Sequence, residues 1–148
     1  MELKQVLPGK VSFTLERLGQ PLTLNLLSLE DNVWMEENYP GEQLNAVYSE
    51  PRVKDILRIL CRILDIESKR LISKTNIVEI DIETGIETNV EGLSLMDKLY
   101  KITGDGELAV VMAAIFEVRK RSNEIVQKLQ EKYNDQKKTE VVEPLLGK

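Results

Sequence analysis

The sequence predicts a mainly α fold with a small β part: an N-terminal β-hairpin, a helical bundle and a long C-terminal helix. Three observations predict it. Apolar residues alternate in two short runs around a Gly/Pro turn. They recur at helical spacing through residues 53–64. From Leu108 to Leu129 they fall at alternating steps of three and four.

The first run sets Val11, Phe13 and Leu15 against Lys10, Ser12 and Thr14. After the turn LGQPL, the second run alternates Leu22, Leu24 and Leu26. Two period-2 runs around such a turn read as a hairpin over 10–27, with one buried and one wet face. In SLEDNVWMEENYPGEQL, Ser28 is an N-cap with Asp31 in a near capping-box position, and Tyr39-Pro40-Gly41 is a stop. These signals predict a helix from about 29 to 38. Leu29, Val33 and Trp34 share a face, and Trp34 reads as a core anchor pinning this helix to the hairpin and to the next long helix. EQLNAVYSEP reads as a further short helix ended before Pro51.

Residues 52–66 read as one apolar helix at the centre of the core. Val53, Ile56, Leu57, Leu60 and Leu64 lie at helical spacing, and Lys54, Arg58, Arg62 and Asp65 form a polar strip. Over 77–92 the period changes to two: Val78, Ile80 and Ile82 alternate with Glu79, Asp81 and Glu83. This is a second hairpin or an irregular arm with an acidic face, inserted into a helical region of 28–136. LSLMDKLYKI is a helix, and TGDGE ends it and caps the last one, with Asp105 as the expected cap. That last helix carries the seam Leu108, Val111, Ile115, Val118, Ser122, Ile125 and Leu129, interrupted by the polar Ser122. A helix of about 28 residues would extend roughly 42 Å, longer than a compact domain of this size needs. The first half of the seam is expected to pack on the 52–66 helix. The second half, with Val118, Ile125, Val126, Leu129 and Tyr133 as candidate contacts, serves either a partner, self-association into a homo-oligomer, or packing within the domain. A single domain is expected over 1–136, with a flexible tail at 137–148.

Composition narrows the chemistry. The 148 residues include 42% hydrophobic but only 5% aromatic residues, so the core should be aliphatic. The net charge of −5 argues against a general nucleic-acid binder. No histidine is present, which removes Ser-His and Cys-His nucleophiles and His-ligated metals. The single Cys61 stands in ILRILCRIL and reads as a small buried hydrophobe, in keeping with a reducing cytoplasm. The N-terminus has no apolar stretch of a signal peptide, and the run LAVVMAAIF is too short for a bilayer, which needs about 20 residues.

No motif supplies a catalytic set or a cofactor site. GDGE at 104–107 lacks the ligand series of a calcium loop and the Gly-Lys-Ser/Thr of a phosphate loop. Glu36 and Glu37 point about 100° apart on a helix, too far to act as a pair. The acids at 79, 81, 83 and 87 read as a solvated sheet edge rather than a metal site. The basic run Arg119–Arg121 is interleaved with acids, which suits helix-face pairs such as Glu117 with Arg121 and Glu124 with Lys128 better than nucleic acid.

The order of parts resembles the tail assembly chaperones of long-tailed bacteriophages. There, a small N-terminal β element precedes a segment of leucine, acid, tryptophan, acids, aromatic and glycine, and a helix with leucine and isoleucine pairs follows. The matching residues are Leu29, Asp31, Trp34, Glu36, Glu37, Tyr39 and Gly41, then Ile59, Leu60, Ile63 and Leu64. The resemblance covers about residues 10–72; the 77–92 insertion and the long helix lie outside it. It implies a non-enzymatic protein of the bacterial host cytoplasm. Such a protein keeps the tape measure protein soluble and helps recruit tail tube subunits. The alternatives are a permanent tail, neck or baseplate component of a virion and, in another class, an enzyme or nucleic-acid regulator.

Overall fold

The computed structural model describes residues 10–146, and the side chains of residues 10–135. Residues 1–9 and 147–148 lie outside the described part, as do the side chains of the expected tail at 137–146. Strands β1 (Lys10–Thr14) and β2 (Pro21–Asn25) form the antiparallel hairpin. Four helices follow: α1 (Leu29–Asn38), α2 (Gln43–Ser49), α3 (Val53–Ile63) and α4 (Ile66–Lys74). A second antiparallel hairpin, β3 (Ile77–Ile80) with β4 (Glu87–Val90), precedes α5 (Leu95–Ile102). A 3-10 turn (Asp105–Glu107) then leads into the long helix α6 (Leu108–Leu146).

The mainly α architecture with two small hairpins is thus the expected one, and so is the aliphatic core. Its largest fully buried side chains are all leucine or isoleucine, among them Leu22 and Leu24 of β2, Ile59 and Leu60 of α3, Leu99 of α5 and Ile115 of α6. They form one cluster that joins the first hairpin, α3, α5 and the near half of α6. Each such side chain contributes about 2 kcal/mol through removal from water.

The expected helix over 52–66 divides. α3 ends at Ile63, Leu64 is extended (φ −58°, ψ 139°), and α4 starts at Ile66. Asp65 is the reason. Its carboxylate accepts the Ser68 N–H at 2.8 Å and so caps α4. The corner this creates also finishes the outer edge of β2. Asp65 N–H donates to the Thr23 carbonyl at 2.9 Å, the Thr23 N–H donates to the Ser68 hydroxyl at 2.7 Å, and Leu64 bridges to Leu24. A sheet edge that would otherwise leave backbone groups unmet inside the protein is closed by a helix–helix corner.

The cap of α6 also differs from expectation. Asp105 is exposed, and Glu107 does the work instead. One of its carboxylate oxygens accepts the Gly104 N–H at 2.9 Å, and the other accepts the Glu16 N–H at 2.8 Å, across from the β1–β2 turn. These two backbone N–H groups, Glu16 first, hold the Glu107 carboxyl below its usual range. Glu107→Gln keeps only one acceptor oxygen. It should lower stability by about 1 kcal/mol. Hydrogen exchange at the Glu16 amide should accelerate; an unchanged rate there would show that the contact is not formed in solution.

Candidate partner-binding surface

α6 has two halves. Val111, Ala114, Ile115 and Val118 are buried against β1, β2 and α3, so the seam packs on the first hairpin as well as on the expected helix. Ser122 does not interrupt the seam but ends it. Its hydroxyl accepts the Leu27 N–H at 3.0 Å and donates to the Val118 carbonyl at 2.7 Å. Beside it, Arg121 donates to the Lys10 carbonyl at 2.7 Å and to Glu117 at 2.8 Å, the helix-face pair that the spacing predicted. From Asn123 to Asp135 every residue is exposed. The helix therefore leaves the body at Ser122 and continues as helix to Leu146, beyond its expected end near 136.

Such an extension is physically reasonable. Nucleation is the costly step of helix formation, and the packed half has already accomplished it. The exposed half is rich in Glu, Lys, Gln and Leu, which propagate helix well.

Of the five candidate contact residues, Val118 is misplaced by the sequence reading: it is 0% exposed and belongs to the core. It sits one turn before Ser122, still inside the packed half. The other four lie on the extension, with Ile125 44%, Val126 51%, Leu129 62% and Tyr133 54% exposed. They continue the seam direction past Ser122 as an exposed apolar stripe along one side of the helix. Where α6 leaves the body, the stripe meets an open groove of about 490 Å³ lined by Leu27, Met35, Tyr39, Leu44, Arg119 and Asn123. Asn123 and Val126 are one turn apart, so groove and stripe are continuous on one side of the helix.

Trp34 is half-buried: it packs against the rim of the core and ties α1 to α3, as its sequence context suggests, but it does not enter the core. The side chains α1 commits to the core are Met35 and, at its end, Tyr39. Trp34 instead lies against the polar strip of α3, with the Arg58 and Arg62 guanidinium carbons 5.1 Å and 5.6 Å from its ring centroid. Arg62 is fixed there by Asp31 at 2.9 Å and Glu30 at 3.0 Å, and Arg58 donates to Asn38 at 2.7 Å. Asp31 also completes the capping box with Ser28, so one carboxylate both starts α1 and ties it to α3. The acids of this segment thus have structural work. Leu29 and Val33, on the same helix, are exposed.

Two other sequence candidates resolve in the same way. Arg119 lies over the Tyr48 ring at 5.5 Å, so two members of the basic run, Arg119 and Arg121, are engaged by the body of the protein. Cys61 is only partly buried, but burial still pushes its thiol up to about 11, against a small opposing effect of Lys69. A thiol held protonated at neutral pH is a poor nucleophile. No helix of the described residues is long and apolar enough to cross a membrane. Comparison of the chain with protein-family models, with curated proteins and with solved structures finds no match.

Proposed function

We propose that this chain is a non-enzymatic assembly chaperone or adaptor that binds an elongated helical protein along the exposed half of α6. The observation that carries the reading is the division of α6 at Ser122. The same helix that completes the core presents Ile125, Val126, Leu129 and Tyr133 beyond it, next to an open groove where Leu27, Met35 and Leu44 stand beside Asn32, Glu36 and Arg119. A partner helix laid along such a stripe uses apolar anchors at steps of three and four. Three of the four contacts are aliphatic and none is Trp or Arg, which favours weak, repeated association over a tight permanent interface. That chemistry suits a protein that shields a long chain and later leaves it. With the resemblance of residues 10–72 to phage tail assembly chaperones, the partner we propose is the tape measure protein, with tail tube subunits recruited to the same complex in the host cytoplasm.

The test is co-expression with fragments of a tape measure protein and with a tail tube subunit, followed by affinity capture and solubility measurement. Wild-type chain should hold the fragments in the soluble fraction, and Leu129→Asp should reduce capture about tenfold, as loss of a central anchor of about 1.4 kcal/mol would. Failure of the wild-type chain to capture any fragment would sink the proposal. Mass spectrometry of purified virions addresses the alternative: stoichiometric presence of the chain there would identify it as a permanent virion component.

A further inference from the structure

The second hairpin presents a different surface. The acidic face, expected to be solvated, turns in part toward the body. Ile77 is buried at its base, and Glu79 pairs with Lys101 of α5 at 2.8 Å. Asp81 is consumed by the turn, where it accepts the Glu83 and Thr84 N–H groups at 2.8 Å and 3.0 Å. Alternation then forces the aliphatic face outward. On that face Val78 is 46% and Ile80 61% exposed, and Ile82, in the turn that follows, is 99% exposed. Register places Glu87 opposite Ile80, and directly paired residues share a face, so a carboxylate stands within the aliphatic patch. Glu83 and Glu91 flank it, and there is no Lys or Arg between Thr75 and Met96.

We infer that the outward face of the β3–β4 hairpin is a second docking surface, and that its occupant is a basic amphipathic segment of a different protein. The apolar patch needs an apolar cover, and the charge decides which one. A second copy docked hairpin to hairpin would set Glu83 and Glu87 of each copy against those of the other. Each facing pair of like charges opposes association. The exposed half of α6 in another copy offers no attraction either, because Lys128 and Lys132 are offset there by Glu124 and Glu131. A segment with Leu or Val on one side and Lys or Arg beside them meets both features. The inference stands apart from the role of α6: with both surfaces in use, one chain holds two chemically distinct partners.

The experiment is an NMR titration of the full-length chain, isotope-labelled, with three synthetic peptides. One is an amphipathic Leu/Lys helix, one has the same composition scrambled to remove the apolar face, and one is an amphipathic Leu/Glu helix. The expected result is shifts centred on residues 78–90 with the first peptide alone. Binding should weaken about tenfold in Glu83→Lys/Glu87→Lys and in Ile80→Ser/Ile82→Ser; all four positions are exposed, so the fold is retained. Four results would overturn the inference: no binding, equal shifts with the scrambled or acidic peptide, shifts centred on α6, or hairpin shifts that depend on the concentration of the chain alone. A null result in the tape measure capture leaves this titration unaffected, and the reverse also holds.

Discussion

Val118→Asp is expected to abolish the cooperative fold, whereas Leu129→Asp on the same helix leaves the melting temperature within about 2 °C of wild type. Val118 is fully buried between the first hairpin and α3. An aspartate there forfeits the burial of the valine and places a carboxylate inside the apolar core. The combined cost is about 4–5 kcal/mol, comparable with the whole stability of many domains of this size. Because such a variant can fail to accumulate, Val118→Ala is the graded form. It should cost about 2 kcal/mol and lower the midpoint by roughly 5–8 °C in a circular-dichroism melt. Leu129 is already mostly in water, so a carboxylate there loses little. Its effect should appear only in partner capture. Equal destabilisation by Leu129→Asp and Val118→Asp would mean that the extension is packed in solution, and the proposed binding stripe would fall with it.

The contrast between these two positions shows where the sequence was readable. Alternating steps of three and four identify the face of α6, and that face is the buried one from Val111 to Val118. Periodicity does not say where along a face the body ends, because a seam looks the same whether it meets a core or a partner. The polar Ser122 marks the place, and its role is visible only once Leu27 is seen to donate to it. The second hairpin poses the same problem across a strand. Alternation separates Val78, Ile80 and Ile82 from Glu79 and Asp81, but it does not say which set turns inward. Ile77 and Lys101 decide that, and they are remote in sequence from each other. Local signals did better. The capping box at Ser28, the stop at Tyr39-Pro40-Gly41 and the turn before β2 all depend on neighbours a few residues apart, and each appears where the sequence puts it. Trp34 shows the limit again, since its surroundings are set by Arg58 and Arg62 of another helix.

Asp65 is the local signal that the apolar period concealed, and its removal carries the second large effect. Asp65→Ala should cost about 2–3 kcal/mol. It removes the cap of α4, an interaction of about 1 kcal/mol, and a charge-assisted bond in a largely buried setting. It also loosens the corner that closes the edge of β2. Asp65→Asn keeps an acceptor for the Ser68 N–H but loses the charge that faces Lys10 at 3.4 Å, so its cost at neutral pH should be near 1 kcal/mol. The pH dependence separates the two contributions. Burial acts to raise the Asp65 carboxyl, but the Ser68 N–H, the Ser68 hydroxyl and Lys10 outweigh it and hold the group below its ordinary value of 3.8. The unfolded chain therefore takes up this proton at a higher pH than the folded one. The contribution is fully present above the ordinary carboxylate range and is lost as the pH falls through the folded value. The stability gap between wild type and Asp65→Asn in urea unfolding should be constant from pH 7 to about 5 and should close below about pH 4. Glu107 has a depressed carboxyl as well, but it is present in both proteins and cancels in the difference. A gap that widened in acid would mean that the carboxylate is destabilised in the fold, and that the corner between α3 and α4 is held by something other than Asp65.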